Sequence, residues 1–210
     1  MQQPLTGKLK IDACFSPHLY PIYRDDDSVV VIIDILRATS AICTAFHHGA
    51  EKIIPVATVE EAMEYKKQGF LTGAERDAIP LSGFDFGNSP FHYMDERIKG
   101  QTIVITTTNG TQAIEVSKNA HKVVIGSFLN IDALCSWLVE QQKNVLLLCS
   151  GWKNKFNLED ALFAGAVTDE ILKRSDQYRH GDGCLALKYL YRMAEEDPNK
   201  FLNHSFHKER

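Results

Sequence analysis

The chain has 210 residues, 44% of them hydrophobic and 24% charged, with a formal charge of −4. That composition suits a sizeable buried core, as one elaborate domain or two small ones. It excludes a basic footprint for nucleic acid and an apolar run near the roughly 20 residues of a membrane helix, and Met1–Lys8 lacks the basic-then-apolar pattern of a signal peptide, so a cytoplasmic protein is expected.

Read in order, Lys8–Phe15 alternates polar and apolar residues as a half-buried strand does. Val29–Asp34 is a β-branched run fit for a strand covered on both faces. Ala38–His48 reads as a helix stopped by Gly49, Lys52–Val56 as a strand, and Val59–Gln68 as an amphipathic helix ending at Gly69. Residues 72–92 break the rhythm, with Gly73, Pro80, Gly83, Gly87 and Pro90 spread through them. A structureless stretch of that length is usually functional or disordered, and Phe84, Phe86 and Phe91 argue against disorder. Alternation then resumes: strand Gln101–Thr106, helix Gly110–Ser117, strand Lys122–Gly126, helix Ile131–Gln141, strand Asn144–Cys149, helix Leu158–Lys173 and a last helix over Asp182–Ala194. The tail from Glu195 to Arg210 is polar and expected to be mobile. Strands separated by helices predict an α/β fold: three α/β/α layers around one mostly parallel or mixed sheet, with an irregular excursion at 72–92. One domain over 1–210 is expected, and any second lobe would be an excursion from that sheet. The five cysteines (Cys14, Cys43, Cys135, Cys149, Cys184) are widely spaced with no Cys-x-x-Cys, as buried thiols are.

Four strand-to-helix junctions carry polar chemistry, and in open α/β sheets ligands bind beyond the carboxyl ends of the strands. In the first, Asp34 ends a strand and Arg37, Ala38, Thr39 and Ser40 open a helix, which reads as a phosphate-holding helix start or as an Asp34–Arg37 turn with a hydroxyl cap. In the second, Thr107, Thr108, Asn109, Gly110 and Thr111 form a hydroxyl-rich turn where Asn-Gly permits positive φ, either an oxyanion cradle or a tight turn. The third is Ser127 with Asn130, most simply an N-cap. In the fourth, Glu159 and Asp160 open a helix, where they either cap it or hold a divalent cation. The 72–92 segment adds Glu75, Arg76, Asp85 and Asn88. No Gly-x-Ser-x-Gly, Gly-x-Gly-x-x-Gly or Walker element occurs.

Taken together, Ile33–Ser40, Gly83–Pro90, Thr107–Thr111, and Leu158–Asp160 with Ala164–Ala166 resemble the 2-phosphosulfolactate phosphatase family, over about Lys8 to Ala166. The resemblance implies an α/β/α, Mg²⁺-dependent phosphatase that converts 2-phospho-3-sulfolactate to 3-sulfolactate and phosphate, a step known from coenzyme M biosynthesis. Two departures stand out: Ala74-Glu75-Arg76-Asp77-Ala78 replaces a Gly-Glu-Arg-Gly-Gly run, and Gln112 stands where an Arg usually follows the threonine turn. On this reading Asp34, Glu159 and Asp160 are metal candidates, since Mg²⁺ takes few carboxylates plus phosphate oxygens. Arg37, Thr107–Thr111 and Arg76 hold anionic groups, and attack by metal-activated water is favoured over a phosphoenzyme at Asp34, with the alternative open. Two rival readings are a phosphatase for another 2-phospho acid such as phospholactate, and a non-catalytic sensor of an anionic phosphate ester. The expected partner is a small anionic ester, with no nucleic acid or membrane, and a homodimer is left open.

Overall fold

The computed structural model describes residues 8–76, 79–203 and 205. Along the chain run β1 (Leu9–Cys14), a 3-10 turn, α1 (Tyr20–Tyr23), β2 (Val29–Ile33), α2 (Ala38–His47), β3 (Lys52–Pro55), α3 (Val59–Lys67), β4 (Leu71–Arg76) and β5 (Ile79–Pro80). After two further 3-10 turns come β6 (Thr102–Thr106), α4 (Gly110–Ser117), β7 (Lys122–Gly126), α5 (Ile131–Gln141), β8 (Val145–Cys149), α6 (Leu158–Arg174), β9 (Tyr178–His180), α7 (Asp182–Ala194) and α8 (Pro198–Leu202).

Five strands form one sheet in the order β7-β2-β8-β1-β9, with every pairing parallel. β2 and β8 lie at its centre and are buried along their whole length, which is why Val-Val-Val-Ile-Ile and Val-Leu-Leu-Leu-Cys show no alternation. Val29, Val31, Ile33, Leu147 and Cys149 face a core shared with α5, α6 and α7. Val30, Ile32, Leu146 and Leu148 face the opposite core with Tyr20 and Ala113. Helices therefore cover both faces, giving the three layers expected. Each such Val, Leu or Ile contributes about 1.5–3 kcal/mol by leaving water.

A second sheet has the order β3-β6-β4-β5, parallel except for the antiparallel β4–β5 pair. Here Ile103 and Ile105 pack on α2, and Val104 packs with Ala62 of α3. Two expectations are corrected. There are two sheets rather than one, because the chain leaves the first sheet after β2 and returns only at β7. Residues 71–76 are a strand, not the start of an irregular excursion. Thr72-Gly73-Ala74-Glu75 lacks the apolar alternation of a strand, yet it is buried and pairs with Val104, Ile105 and Thr106 in β6. β9, α1 and α8 are also additions to the reading.

Register aligns the chemistry. Ile33 pairs with both Gly126 and Cys149, so Asp34, Ser127 and Ser150 sit level one residue beyond. Ala74 pairs with Thr106, so Glu75 is level with Thr107 at the same end of the second sheet. The tail is not simply a mobile segment: α8 forms, and Ser205 is buried. Asp77 and Ala78 of the Glu-Arg run, Met1–Gly7, and 204 and 206–210 of the tail lie outside the described residues.

Candidate active site

Asp34 leaves β2 and turns its carboxylate onto two helix starts. Its Oδ1 accepts from Ala38 N–H at 3.3 Å, and the amides of Arg37 and Gly110 donate to the same group. A Cβ on Gly110 would meet Asp34 Oδ2 at 3.0 Å, so glycine there permits close approach rather than a left-handed turn. The positive φ expected of the Asn-Gly turn is absent: Asn109 has φ −118°, and Gly110 is not among the left-handed glycines. Burial pushes the Asp34 carboxyl up to about 6, and the nearby Glu75 charge pushes in the same direction against the amide donors. The Thr39 hydroxyl donates to Asp34 O at 2.9 Å and accepts from Asp34 N–H at 3.1 Å, so it secures this turn. The α2 start therefore serves Asp34 rather than standing open to a phosphate, and Arg37 occupies its N-cap position, half-buried.

Asp160 approaches from the other side. Its Oδ1 accepts from Ile35 N–H at 2.9 Å and its Oδ2 from Gly151 N–H at 3.1 Å, tying α6 to the turns after β2 and β8. Burial first, and then the Asp34 charge, hold the Asp160 carboxyl well above the carboxylate range. Neither acid caps α6. That role belongs to Asn157, whose Oδ1 accepts from Glu159 N–H and Asp160 N–H at 2.9 and 3.3 Å. Side chains one residue apart on a helix diverge by about 100°. Glu159, 2% exposed, accordingly accepts from the Ser205 hydroxyl at 3.3 Å, and among the described residues its buried Oε2 has no hydrogen-bond partner.

The second sheet supplies the opposite wall. Glu75 accepts from Asn88 Nδ2 at 3.3 Å and from the Thr108 hydroxyl at 3.2 Å. Arg76 donates from Nη1 to Glu75 O at 2.7 Å and from Nη2 to Thr106 Oγ1 at 2.9 Å. An open cleft runs over this wall, lined by Arg76, Thr107, Thr108, Thr111 and Gln112. The Gln112 departure thus lies in the cleft itself. Thr111 donates its hydroxyl to Thr107 O at 2.9 Å, so part of the hydroxyl set holds the turn together. Asp85 is elsewhere, clipped to Lys66 and to Thr72 through one oxygen.

At the third junction, Ser127 Oγ meets Ser40 Oγ at 3.0 Å, while Ser40 donates to Ile35 O at 2.9 Å. Asn130 stands at the N-cap position of α5 without capping it. Its Oδ1 accepts from Ser127 N–H and its Nδ2 donates to Ile125 O, closing the turn below. Ser40, Ser127 and Asn130 thus brace the Asp34 turn from the β7 side.

Asp34 and Asp160 are the pair that could hold a hard cation, because the Asp34 charge raises the proton affinity of the buried Asp160 carboxyl. Among the described residues no group of three His, Cys, Asp or Glu side chains is arranged to hold an ion. The expected trio of Asp34, Glu159 and Asp160 is therefore not gathered as one ready set. The reading gave no role to Gly151 or Asn157 and did not reach Ser205. The left-handed Gly151, which takes its backbone toward Asp160, had a sequence signal in the Ser-Gly after an apolar strand. Ser205 had none.

The whole-chain comparisons show which family the chain is similar to. The family model for 2-phosphosulpholactate phosphatase matches residues 14–210, reaching well beyond Ala166 and through the tail that touches Glu159. A probable 2-phosphosulfolactate phosphatase of Thermotoga maritima is 45% identical over 180 residues, covering 86% of this chain and 77% of that protein. Like-named proteins of Caldanaerobacter subterraneus (38% identity; 85% and 75% coverage) and Clostridium acetobutylicum (35%; 96% and 87%) are similar to it as well.

Proposed function

Since this chain belongs to the 2-phosphosulpholactate phosphatase family, we propose that it is a phosphoric monoester hydrolase cleaving 2-phospho-3-sulfolactate to 3-sulfolactate and inorganic phosphate, with Mg²⁺ as its cofactor. One observation carries the reading. Asp34 and Asp160, whose carboxyls burial pushes up, lie at the strand ends, and the Gly110 amide reaches Asp34 from the turn whose Thr107, Thr108 and Thr111 line a cleft with Arg76 and Glu115. A site built only to bind an anion gains nothing from uncompensated carboxylates, which disfavours the sensor reading. The pair suits Mg²⁺, which takes one or two carboxylates and fills its other positions with water and phosphate oxygens. When bound there, the ion would stabilise charge on the transferring phosphoryl oxygens and acidify a water.

The chain's own groups supply the rest. The amides of Arg37, Ala38 and Gly110 fix the Asp34 carboxylate, and those of Ile35 and Gly151 fix Asp160, so neither must reorganise during reaction. Arg76, held by Thr106 and by the Glu75 carbonyl, faces an anionic group in the cleft. Thr107 and Thr108 offer it hydroxyls. Glu75, bound to Thr108 and Asn88, orients this wall and places a negative charge near Asp34. Attack by water, rather than through an aspartyl-phosphate at Asp34, is the favoured route, and an acid-stable labelled protein that disappears in Asp34→Asn would refute it.

Gln112 in the cleft is the specific reason to keep a second substrate in view, a 2-phospho acid with fewer anionic groups such as phospholactate. On this reading the enzyme works in the cytoplasm and serves coenzyme M-type sulfonate metabolism. Phosphate release from a panel of 2-phospho acids, with Mg²⁺ and with EDTA, tests it. Release from the sulfonate ester that EDTA abolishes is the expected outcome, and no release from any of them would end the enzyme reading. Phospholactate preferred over the sulfonate ester would favour the second substrate.

A further inference from the structure

The cleft beside the Asp34 turn is lined from two sides. Thr111, Gln112 and Glu115 come from α4, where residues three and four apart are neighbours on one face. Across from them, Arg76 ends β4, while Thr107 and Thr108 follow β6. Thr107 also joins the cleft to the buried acid. A Cβ on Gly110 would meet Thr107 Oγ1 at 3.1 Å and Asp34 Oδ2 at 3.0 Å, so hydroxyl and carboxylate flank one point. The inner end of the cleft is therefore next to Asp34, and Gln112 and Glu115 lie farther out along α4.

Five of these six polar side chains are already engaged within the protein. Arg76 donates to Glu75 O and Thr106 Oγ1, and the Thr108 hydroxyl donates to Glu75. Thr107 Oγ1 accepts from Thr111 N–H at 3.4 Å, and the Thr111 hydroxyl donates to Thr107 O. Glu115 pairs with Lys118 one turn on. Gln112 differs: it is exposed in the cleft, and its side-chain amide has no hydrogen-bond partner. The lining thus carries one cation, one carboxylate and one free amide with two N–H donors. A 2-phospho acid with two further anions asks this cleft for two sets of donors. Arg76 supplies one set, and Gln112 is what is left for the other.

We propose that Gln112 is the specificity-determining residue of this cleft. Its amide donates to the sulfonate, the anionic group farthest from the phosphoester, while Arg76 holds the nearer carboxylate. A neutral donor holds an anion less firmly than a charged one. The charge at position 112 therefore sets how strongly a sulfonate-bearing 2-phospho acid is preferred over one without the sulfonate. The proposal rests on the proposed reaction and adds the residue that reads the second anion.

Substitutions at 112 test it through the ratio of kcat/KM for phosphosulfolactate to that for phospholactate, which lacks the sulfonate. Arg, Gln, Glu and Ala are all good helix formers, so the fold is not at stake at this exposed position. Gln112→Arg should raise the ratio about tenfold, the scale of one charged hydrogen bond. Gln112→Ala should lower it about threefold, the scale of a neutral one, and Gln112→Glu about tenfold by like-charge repulsion. The changes should fall in the KM for phosphosulfolactate. Gln101→Arg, which adds the same charge at the opposite end of β6, should leave the ratio as it is. A ratio that does not follow the charge at 112, or that Gln101→Arg shifts as much, overturns the proposal. Wild-type inactivity on every 2-phospho acid would instead sink the proposed reaction. Calorimetric binding of 3-sulfolactate then decides Gln112 separately: tighter binding to Gln112→Arg than to wild type supports it, and equal binding or none to either protein overturns it.

Discussion

The two sheets contribute to one site by different means. From the five-stranded sheet come Asp34 and Asp160, each held by backbone amides and set between strands with no exposed residue. From the four-stranded sheet come Glu75, Arg76 and Thr106–Thr108, held mainly by one another's side chains. The helices differ in the same way. α6 buries twelve of its seventeen residues, whereas α3 buries only Ala62. Backbone contacts resist small repacking and side-chain contacts yield to it. The first half is therefore suited to fixed charge, and the second to adapting its wall to a substrate.

The sharpest way to break this contrast is at Asp160. Asp160→Ala should cut phosphate release by roughly a thousandfold or more, the scale of losing a preorganised electrostatic group. It should also cost about 2–4 kcal/mol in urea unfolding, because the Ile35 and Gly151 amides lose their acceptors. An activity loss with unchanged stability would show that those amides are not held as described.

Next come paired glycines, one in each half. A Cβ at Gly165 would run into the Leu187 carbonyl, which is backbone, and drive α6 from α7. A Cβ at Gly73 would meet the Tyr93 hydroxyl, the far end of a side chain bound to Gly87 O. Gly165→Ala should cost about 3 kcal/mol and Gly73→Ala about 1–2 kcal/mol in denaturant midpoints. The reverse order would mean that the four-stranded half is the more rigid one.

Asp34 gives a smaller effect of opposite sign. Its folded carboxyl titrates at about 6 against an ordinary 3.8, so the native state binds more protons between those values. Stability should then fall as pH rises from about 4 to about 6, and level off above. In EDTA, Asp34→Asn should flatten that slope and gain about 1–2 kcal/mol at pH 7.5 while abolishing activity. A destabilised variant would show that the amide bonds to Asp34 outweigh its desolvation. The smallest effect belongs to the surface of the second half: Glu64→Ala removes the exposed pair with Lys67 and should move the unfolding midpoint by no more than about 0.5 kcal/mol.

Much of this molecule was legible as sequence. Val29–Ile33 and Val145–Cys149 announce themselves as central parallel strands, since only burial on both faces tolerates unbroken apolar runs. Asp34, Thr107 and Asp160 fall at strand or helix ends, where local pattern is readable. The strand Leu71–Arg76 was hidden, because its buried residues are Thr, Gly, Ala and Glu and its pairing lies thirty residues away in β6.

The chain by itself thus determined most of the element order, the covered strands and the polar residues carried by each junction, all properties of neighbours in sequence. The tertiary structure alone decided how those residues divide their labour. It split the strands into two sheets, directed Asp160 to Asp34 but Glu159 to Ser205, engaged the amides of α2 on a carboxylate, and tied the Lys153 amide to Asn109 before α4. Apart from the α2 amides, which lie within four residues of Asp34, these depend on groups that meet across about 30 to 125 residues of chain. A hydrogen bond or a shifted carboxyl is a property of that meeting, not of either partner.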